Sequence, residues 1–223
     1  MTELALPPLT GSSTLSDRLY DVLEEAIITG ALQPGSRLHA DDLAKHFGIS
    51  RIPIRETLRA LDANGWIELR PRHGTYVRQR TDTELRELFE VRLLLEAQAA
   101  RLAAERRTVA QLDELEQAVR DGRRAAAAAD DAEVTRINSV FHGCVVACAD
   151  NAVLAHLLDS LAKRVRFYFS AAAHTRGKES VEEHADLVAA IRAQDQEAAA
   201  RLIKAHIGST QTAVAKRLGF KTE

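Results

Sequence analysis

Two histidines in the carboxyl-terminal part of the chain occupy positions where helical patterns place apolar side chains. His184 precedes Leu187 and Ile191 by three and seven residues, so it shares their face of a helix. His206 follows Ile203 by three residues and is predicted to face inward in the same way. Because an imidazole buried without a polar partner is costly, we expect both rings to bind something in the core.

A third histidine, His142, lies four residues after Asn138, which puts both side chains on one face of a helix. Neutral imidazole is the commonest metal ligand in proteins, so one divalent ion shared by His142, His184 and His206 would satisfy all three rings. The alternative is that each histidine separately finds a hydrogen-bond partner. Four further histidines have no comparable setting and are interpreted as surface or incidental residues: His39, His46, His156 and His174.

The elements that would position these side chains are helices. No proline follows residue 81, and alanine is abundant while aromatic residues make up 4% of the chain, which favours packed helices over sheets. Capping boxes are predicted at Thr81, Thr108 and Ser180, each followed three residues later by Glu or Gln. A loop is expected at 174–178. The pattern predicts an antiparallel bundle of six helices over 82–107, 108–130, 131–149, 152–173, 180–193 and 196–218.

A different pattern precedes the bundle, in residues 43–77. A short helix and a turn lead to a second helix, which Ser50 is suited to cap through its hydroxyl and which Gly65 ends. Ile54, Leu58 and Leu61 form its buried stripe, and a hairpin then joins 66–69 to 75–77. The fold class predicted is therefore mainly α, with an amino-terminal winged helix-turn-helix that reads DNA followed by the six-helix bundle.

Charge is distributed in agreement with this placement. The whole chain has a formal net charge of −2, which carries no information about nucleic acid. Residues 51–80, however, contain seven arginines and three acidic residues, a local balance of +4, whereas residues 1–50 have a balance of −4. The positive field is thus predicted to lie on the second helix and the wing, where phosphates would be. The alternative is an arginine-rich solvated surface without a ligand.

These residues also carry a family resemblance. Leu32-Gln-Pro-Gly-Ser-Arg-Leu38, Gly48-Ile-Ser-Arg51 and Pro53-Ile-Arg55-Glu resemble the amino-terminal domain of GntR-type transcription factors. The resemblance implies that the second helix meets the major groove and the wing tip the minor groove. Asp41 departs from it, because many FadR-like members have an arginine there. The DNA-binding residues implied are Ser50, Arg51, Ile52, Arg55, Arg59, Arg72, His73 and Gly74.

The bundle carries a second resemblance. Phe89-Glu-Val-Arg-Leu-Leu-Leu-Glu96, Asn138-x-x-Phe-His142, Glu183-His184 and His206-Ile resemble the FCD effector domain of FadR-type GntR regulators, in particular its six-helix, VanR-like branch. Metal-binding FCD domains hold a divalent ion such as zinc or nickel with an Asp or Asn and three histidines. The ligands implied here are Asn138, His142, His184 and His206. An amide in place of a carboxylate predicts weaker metal binding.

Effectors of the resembled family are usually small organic acids, which need a cation near the carboxylate. The metal would supply one. Arg92, within the inward stripe of its helix, and Arg166 are the other candidate effector-binding residues, although each could equally form a salt bridge.

Composition and length limit the class of protein. The 223 residues are 46% hydrophobic and 28% charged, as in globular proteins of one or two domains. The start of the chain lacks a signal peptide, and no apolar stretch reaches the ~20 residues of a membrane span, so a cytoplasmic location is expected. Cys144 and Cys148 are interpreted as buried hydrophobes rather than a disulfide. The domains predicted are a disordered tail at 1–13, the DNA-binding domain at 14–77, a linker at 78–81 and the effector and dimerisation domain at 82–219.

The function predicted is that of a metabolite-responsive transcriptional repressor. It would bind a palindromic operator as a homodimer, and a small organic acid in the bundle would alter DNA affinity. One alternative is a metal-sensing regulator in which the ion is itself the signal. A second is a metal-dependent enzyme, disfavoured because no general base is evident: Glu183, next to His184, is predicted to point off its face.

Overall fold

A computed structural model describes residues 14–220 of the chain, so the tail predicted at 1–13 lies outside the described residues. Within that range there are nine helices and three strands. The chain divides into two compact units between Gln79 and Arg80. None of the described helices combines the length and apolarity that a bilayer span requires. The mainly α fold predicted from the sequence is confirmed.

The first unit is a winged helix-turn-helix. Strand β3 lies between β1 and β2 and is antiparallel to both; Ile67 is opposite Val77, and Arg70 is opposite Gly74. The β2–β3 hairpin is the predicted wing, whereas β1 was not predicted because two residues are too short to show alternation. The elements are α1 (Leu15–Thr29), β1 (Arg37–Leu38), α2 (Ala40–Phe47), α3 (Arg51–Ala63), β2 (Ile67–Arg70) and β3 (Gly74–Val77).

The core of this unit joins α1 to α3. The predicted stripe of α3, comprising Ile54, Leu58 and Leu61, is at most 4% exposed. Burying side chains of this size contributes ~1.5–3 kcal/mol each. One detail of the prediction is wrong: Ser50 is the N-cap residue of α3, but its side chain accepts no capping hydrogen bond. The helix begins there because Ser50 has extended backbone angles, not because its hydroxyl caps it.

The second unit is the predicted bundle of six helices. Helix α4 packs along α9, and α5 packs against both α6 and α8. Thr108 and Gln111 form the predicted capping box at the start of α5. The helices are α4 (Asp82–Arg106), α5 (Val109–Ala127), α6 (Asp131–Cys148), α7 (Ala152–Phe169), α8 (Ala173–Arg192) and α9 (Gln196–Leu218).

The loop predicted at 174–178 and the capping box predicted at Ser180 are wrong, because α8 already begins at Ala173. Glycine has a low helix propensity, but packing overrides it at Gly177. A Cβ atom on this glycine would lie 2.9 Å from Cγ1 of Val134 on α6, so the close approach of the two helices requires glycine. Ser180 and Glu183 therefore lie inside the helix. Their side chains contact Asn138 and His206 at the centre of the bundle.

The start of α4 is held by the end of α7. Arg80 donates to the Phe167 carbonyl oxygen at 2.8 Å and to the Ser170 hydroxyl at 3.0 Å. Tyr168 accepts a hydrogen bond from the backbone N–H of Thr81 and donates to Glu84, at 2.9 and 2.8 Å. Thr81 caps α4 as predicted, but Tyr168 takes the place of Glu84 as the partner of its backbone N–H. The residues that enter the bundle are thus anchored on α7.

Candidate metal centre and nucleic-acid interface

Three helices bring the predicted histidines together at the centre of the bundle: His142 from α6, His184 from α8 and His206 from α9. The ring centroid of His142 lies 5.2 Å from each of the other two, which are 4.6 Å apart. One nitrogen from each ring lies within 4.8 Å of the others. Since His184 and His206 are 3% and 2% exposed, this arrangement is almost fully shielded from solvent.

Two carboxylates orient the rings through their Nδ1 atoms. Oε2 of Glu96 lies 2.5 Å from Nδ1 of His142, and Oε2 of Glu183 lies 2.8 Å from Nδ1 of His206. An ionised carboxylate only accepts, so each Nδ1 carries the proton and each Nε2 keeps its lone pair. Carboxylate–histidine pairs of this kind fix ligand orientation and raise ligand basicity in metal sites.

Sequence reasoning missed both carboxylates. Glu183 was predicted to point off the face of His184 and was for that reason given no role in the site. Because α8 packs on α9, Glu183 instead contacts His206 across the interface between the two helices. The signal available for Glu96 was its position four residues after Arg92, the spacing of an intrahelical ion pair.

Burial and charge hold these groups in the protonation states that metal ligation needs. Burial, with the neighbouring His206, lowers the pKa of His184 well below its ordinary value, and burial lowers the pKa of His206 to about 4. Burial alone would raise the pKa of Glu96, but the charge of Arg92 and the hydrogen bonds from His142 and Arg92 outweigh it and hold that pKa well below its usual range. For Glu183, hydrogen bonds from His206 and Arg176 likewise outweigh burial and lower its pKa.

Asn138 lies one helical turn before His142 and is 7% exposed. Its Oδ1 atom accepts a hydrogen bond from the Ser180 hydroxyl at 3.4 Å, a long contact that leaves acceptor capacity on the oxygen. Asn138 borders the same small cleft as His184, and it also lines the larger cavity beside His142. An amide oxygen therefore borders both spaces.

The guanidinium of Arg92 is the buried cation nearest to His142 among the described residues. The side chain is 1% exposed, and Nε donates to Glu96. Nη2 lies 3.1 Å from Nε2 and 3.5 Å from Nδ1 of His142, while Nη1 is buried and has no hydrogen-bond partner in the described part of the chain. One edge of a buried cation is thus incompletely satisfied.

A cavity of about 660 Å³ opens beside this edge, between α4, α6 and α7. Arg92, Glu96 and His142 form a polar end, while apolar side chains of α6 and α7 line much of the remaining wall. His156, interpreted from the sequence as incidental, is an exposed residue that also borders the cavity. Arg166 does not line it, because the cavity face of α7 ends at Val165; this candidate is not brought to the site.

The predicted DNA-contacting residues lie on one helix and one hairpin tip. Arg51, Arg55 and Arg59 follow at intervals of four residues and are all exposed, as is Ile52, an apolar side chain with 69% exposure. Ser50 is exposed at the start of the helix. At the tip, Arg72 and His73 are exposed, and Arg72 and Gly74 have φ angles of 63° and 114°, which make the tight turn of the wing.

Two family descriptions match the chain: "Bacterial regulatory proteins, gntR family" over residues 15–77 and "FCD domain" over residues 87–209. The transcriptional regulator YdhC of Bacillus subtilis (strain 168) is 29% identical over 198 residues, which span 85% of this chain and 86% of YdhC. The transcriptional repressor RspR of Escherichia coli (strain K12) is 26% identical over 201 residues, which span 89% of this chain and 88% of RspR.

A solved structure has the same fold. The McbR/YncC protein of E. coli superposes with a TM-score of 0.77 at 23% identity, over 93% of this chain and 100% of that one. The relatives in sequence are transcriptional regulators, so the alternative of a metal-dependent enzyme is not supported. With a gntR domain on one unit and an FCD domain on the other, the chain belongs to the gntR family of bacterial regulatory proteins and is a DNA-binding transcriptional regulator.

Proposed function

We propose that this regulator represses transcription by binding a palindromic operator as a homodimer, and that an organic acid bound beside a metal ion in the bundle releases it. The repressor RspR, similar over most of both chains, supports the sign of the regulation. A twofold dimer places two recognition helices in successive major grooves, and each winged helix needs the other half-site to reach useful affinity.

The proposed DNA contacts are divided between α3 and the wing. Arg51, Arg55 and Arg59 present three cations along the exposed face of α3, where they would meet bases and phosphates of the major groove. The remaining contacts assigned to DNA are Ser50 and Ile52 beside them and Arg72, His73 and Gly74 at the tip of the wing.

A divalent ion, zinc or nickel, is proposed for the centre of the bundle. The observation that carries this is the convergence of three buried imidazoles, two of which are protonated on Nδ1 by contact with a carboxylate and so keep Nε2 for a ligand bond. Asn138 would supply a neutral oxygen as the fourth ligand. The donor set of nitrogen and oxygen atoms fits both ions.

The cavity beside Arg92 is the proposed effector site. A carboxylate would lie at the polar end, near the unsatisfied edge of Arg92, with an open coordination position at the metal available to it. The other walls are largely apolar, and the volume falls within the range of small-molecule sites. The effector class that fits best is therefore a carboxylate with an apolar body rather than a compact polyacid.

Two measurements test this function. Elemental analysis of protein purified without an affinity tag is expected to find one divalent ion per chain. Operator release is then followed by fluorescence anisotropy on metal-loaded protein with benzoate, octanoate or citrate added in turn, with zinc alone as the comparison. Release by an acid with an apolar body supports the proposal. Release by zinc alone supports the metal-sensing alternative, and absence of metal binding contradicts both.

A further inference from the structure

We propose that Phe141 is a positioning residue of the metal centre: its ring orients His184 and stabilises that imidazole more when it ligates an ion than when it is free. This inference rests on the proposed metal site and deepens it. A phenyl ring offers no ligand atom, so the effect of Phe141 on metal affinity must pass through the histidine on which it packs.

His184 is held differently from the other two histidines of the centre. His142 and His206 each contact a carboxylate through Nδ1. Within residues 14–220, no carboxylate forms a hydrogen bond or an ion pair with His184, and the nearest polar contact of its ring is Nε2 of His206 at 3.4 Å. The orientation of this imidazole therefore depends on something other than a carboxylate acceptor.

The face of Phe141 supplies that orientation. The rings of Phe141 and His184 are stacked, with 3.8 Å between their centroids and 12° between their planes, and both side chains are buried. In a closely packed core, a tilt of the imidazole would drive it into the phenyl face. Phe141 also precedes His142 on α6 and meets that ring edge to face at 5.8 Å. Helix α6 thus provides one candidate ligand and the ring that packs on a second.

The stack also distinguishes a metal-bound imidazole from a free one. The face of a phenyl ring is the negative part of its quadrupole. A neutral imidazole has π electrons on its own face, so electrostatics adds little to its stacking. An imidazole that gives its lone pair to a divalent ion takes on part of the positive charge, and its attraction to the phenyl face grows as in a cation–π contact, most strongly where water is excluded. Because only the metal-bound form gains, Phe141 should raise metal affinity.

The bundle contains a matched control for the test. Phe169 on α7 is also buried, and it packs among apolar side chains that include Val134 and Ile137. No ring contact between Phe169 and a histidine is found in the described part of the chain. Fluorinated phenylalanines keep nearly the shape of the side chain and progressively withdraw negative charge from its face. Placed at position 141 or 169, they perturb packing alike, but only at 141 do they alter a stack on a histidine.

Zinc is titrated calorimetrically into metal-free protein that carries mono-, di- or trifluorinated phenylalanine at position 141, and into the same series at position 169. Zinc affinity is expected to fall stepwise at 141, by roughly three- to tenfold over the series, and to stay level at 169. Unchanged affinity at 141, or an equal fall at both positions, overturns the role of Phe141 and leaves the metal site intact. Failure of wild-type protein to bind zinc overturns the metal site itself, and the role of Phe141 with it.

A second readout follows the arrangement of the ligands, with cobalt(II) in place of zinc, because its visible absorption bands depend on coordination. Phe141→Leu is expected to shift these bands and to weaken zinc binding, whereas Phe169→Leu keeps the wild-type bands. If Phe141→Leu does not fold, the fluorinated proteins, which retain the ring, still decide the question. Wild-type bands and wild-type zinc affinity in Phe141→Leu would show that the ring only fills the core, and would overturn the proposal.

Discussion

Asp41 and Arg51 form an ion pair between α2 and the first residue of α3, with 2.9 Å between Oδ1 and Nε. Both side chains are largely exposed, 64% for Asp41 and 62% for Arg51. Many FadR-like proteins have an arginine at the position of Asp41. Asp41 therefore lacks the positive charge of that arginine, and it also forms an ion pair with Arg51, which is proposed to contact DNA.

Asp41→Ala is expected to tighten operator binding several-fold. Phosphate must displace Asp41 from Arg51, and although an exposed pair is worth only ~0.2–1 kcal/mol, removal of the carboxylate also ends its repulsion of the DNA backbone. Anisotropy titrations at one fixed salt concentration measure the change. Asp42→Ala, an adjacent exposed acid, is the control; an equal gain there would show a general charge effect and contradict a specific role for Asp41.

Arg55→Ala is expected to weaken operator binding by ~1–3 kcal/mol per half-site, the range for loss of a specific base contact. Its exposed position on α3, one turn after Arg51, motivates the prediction. Gel-shift titration measures the affinity, and circular dichroism checks the fold. Arg120→Ala, a surface arginine of the bundle, should bind as wild type does. Wild-type affinity for Arg55→Ala would remove this residue from the interface.

The carboxylates behind the histidines yield a prediction that sequence alone did not provide. Glu96→Gln and Glu183→Gln are each expected to lower zinc affinity by roughly 10–100-fold, because a neutral amide is a weaker acceptor for Nδ1–H and no longer raises the basicity of the imidazole. Glu182→Gln removes a neighbouring carboxylate that pairs with Arg123 on the surface and should have little effect. Competition with a zinc-binding dye measures all three. Unchanged affinity in the two buried variants would mean that the carboxylates serve only the fold.

Asn138→Asp is expected to tighten zinc binding, because it adds a negative charge about 2 Å from the ion if the side-chain oxygen is a ligand. The same charge would repel an incoming carboxylate, so effector affinity should fall or stay level. Calorimetric titration of zinc, then of benzoate, distinguishes this from a structural role. An amide that merely bridges α6 and α8 through Ser180 predicts equal zinc affinities, and that result would leave a three-histidine centre.

Filling the cavity should separate effector sensing from DNA binding. Ala162→Phe places a bulky ring against the apolar wall of the cavity and is expected to abolish release by carboxylates with an apolar body, while zinc and operator affinities stay as in wild type. Ala110→Phe, at an exposed position of α5, controls for the added ring. A fully retained response in Ala162→Phe would place the effector elsewhere.

Much of the fold could be predicted because the spacing of apolar residues along the chain indicates where helices lie. The stripe of Ile54, Leu58 and Leu61 identified α3, and the inward positions of His184 and His206 identified two residues of the site. These signals are local, since each depends on residues within one helix. The loop predicted at 174–178 failed for the opposite reason, because only contact with α6 explains a helix there.

The remaining errors have the same origin. The roles of Glu96 and Glu183 depend on His142 and His206, which are far from them in sequence and adjacent only after the helices pack. Likewise, Arg166 loses its expected place in the cavity wall through the rotation of α7 against its neighbours. Side-chain partners across helices leave no periodic trace in the chain, and a single sequence does not contain them.

Helix α7 both lines the cavity and holds the residues at the start of the bundle. Side chains between Ala155 and Val165 line the cavity, while Phe167, Tyr168 and Ser170 at its end hold Arg80 and Thr81, where the chain enters the bundle. Its 18 residues make a rod about 27 Å long. A displacement of one end of such a rod would carry the other end with it. The cavity wall and the residues that hold Arg80 and Thr81 therefore belong to one mechanical element.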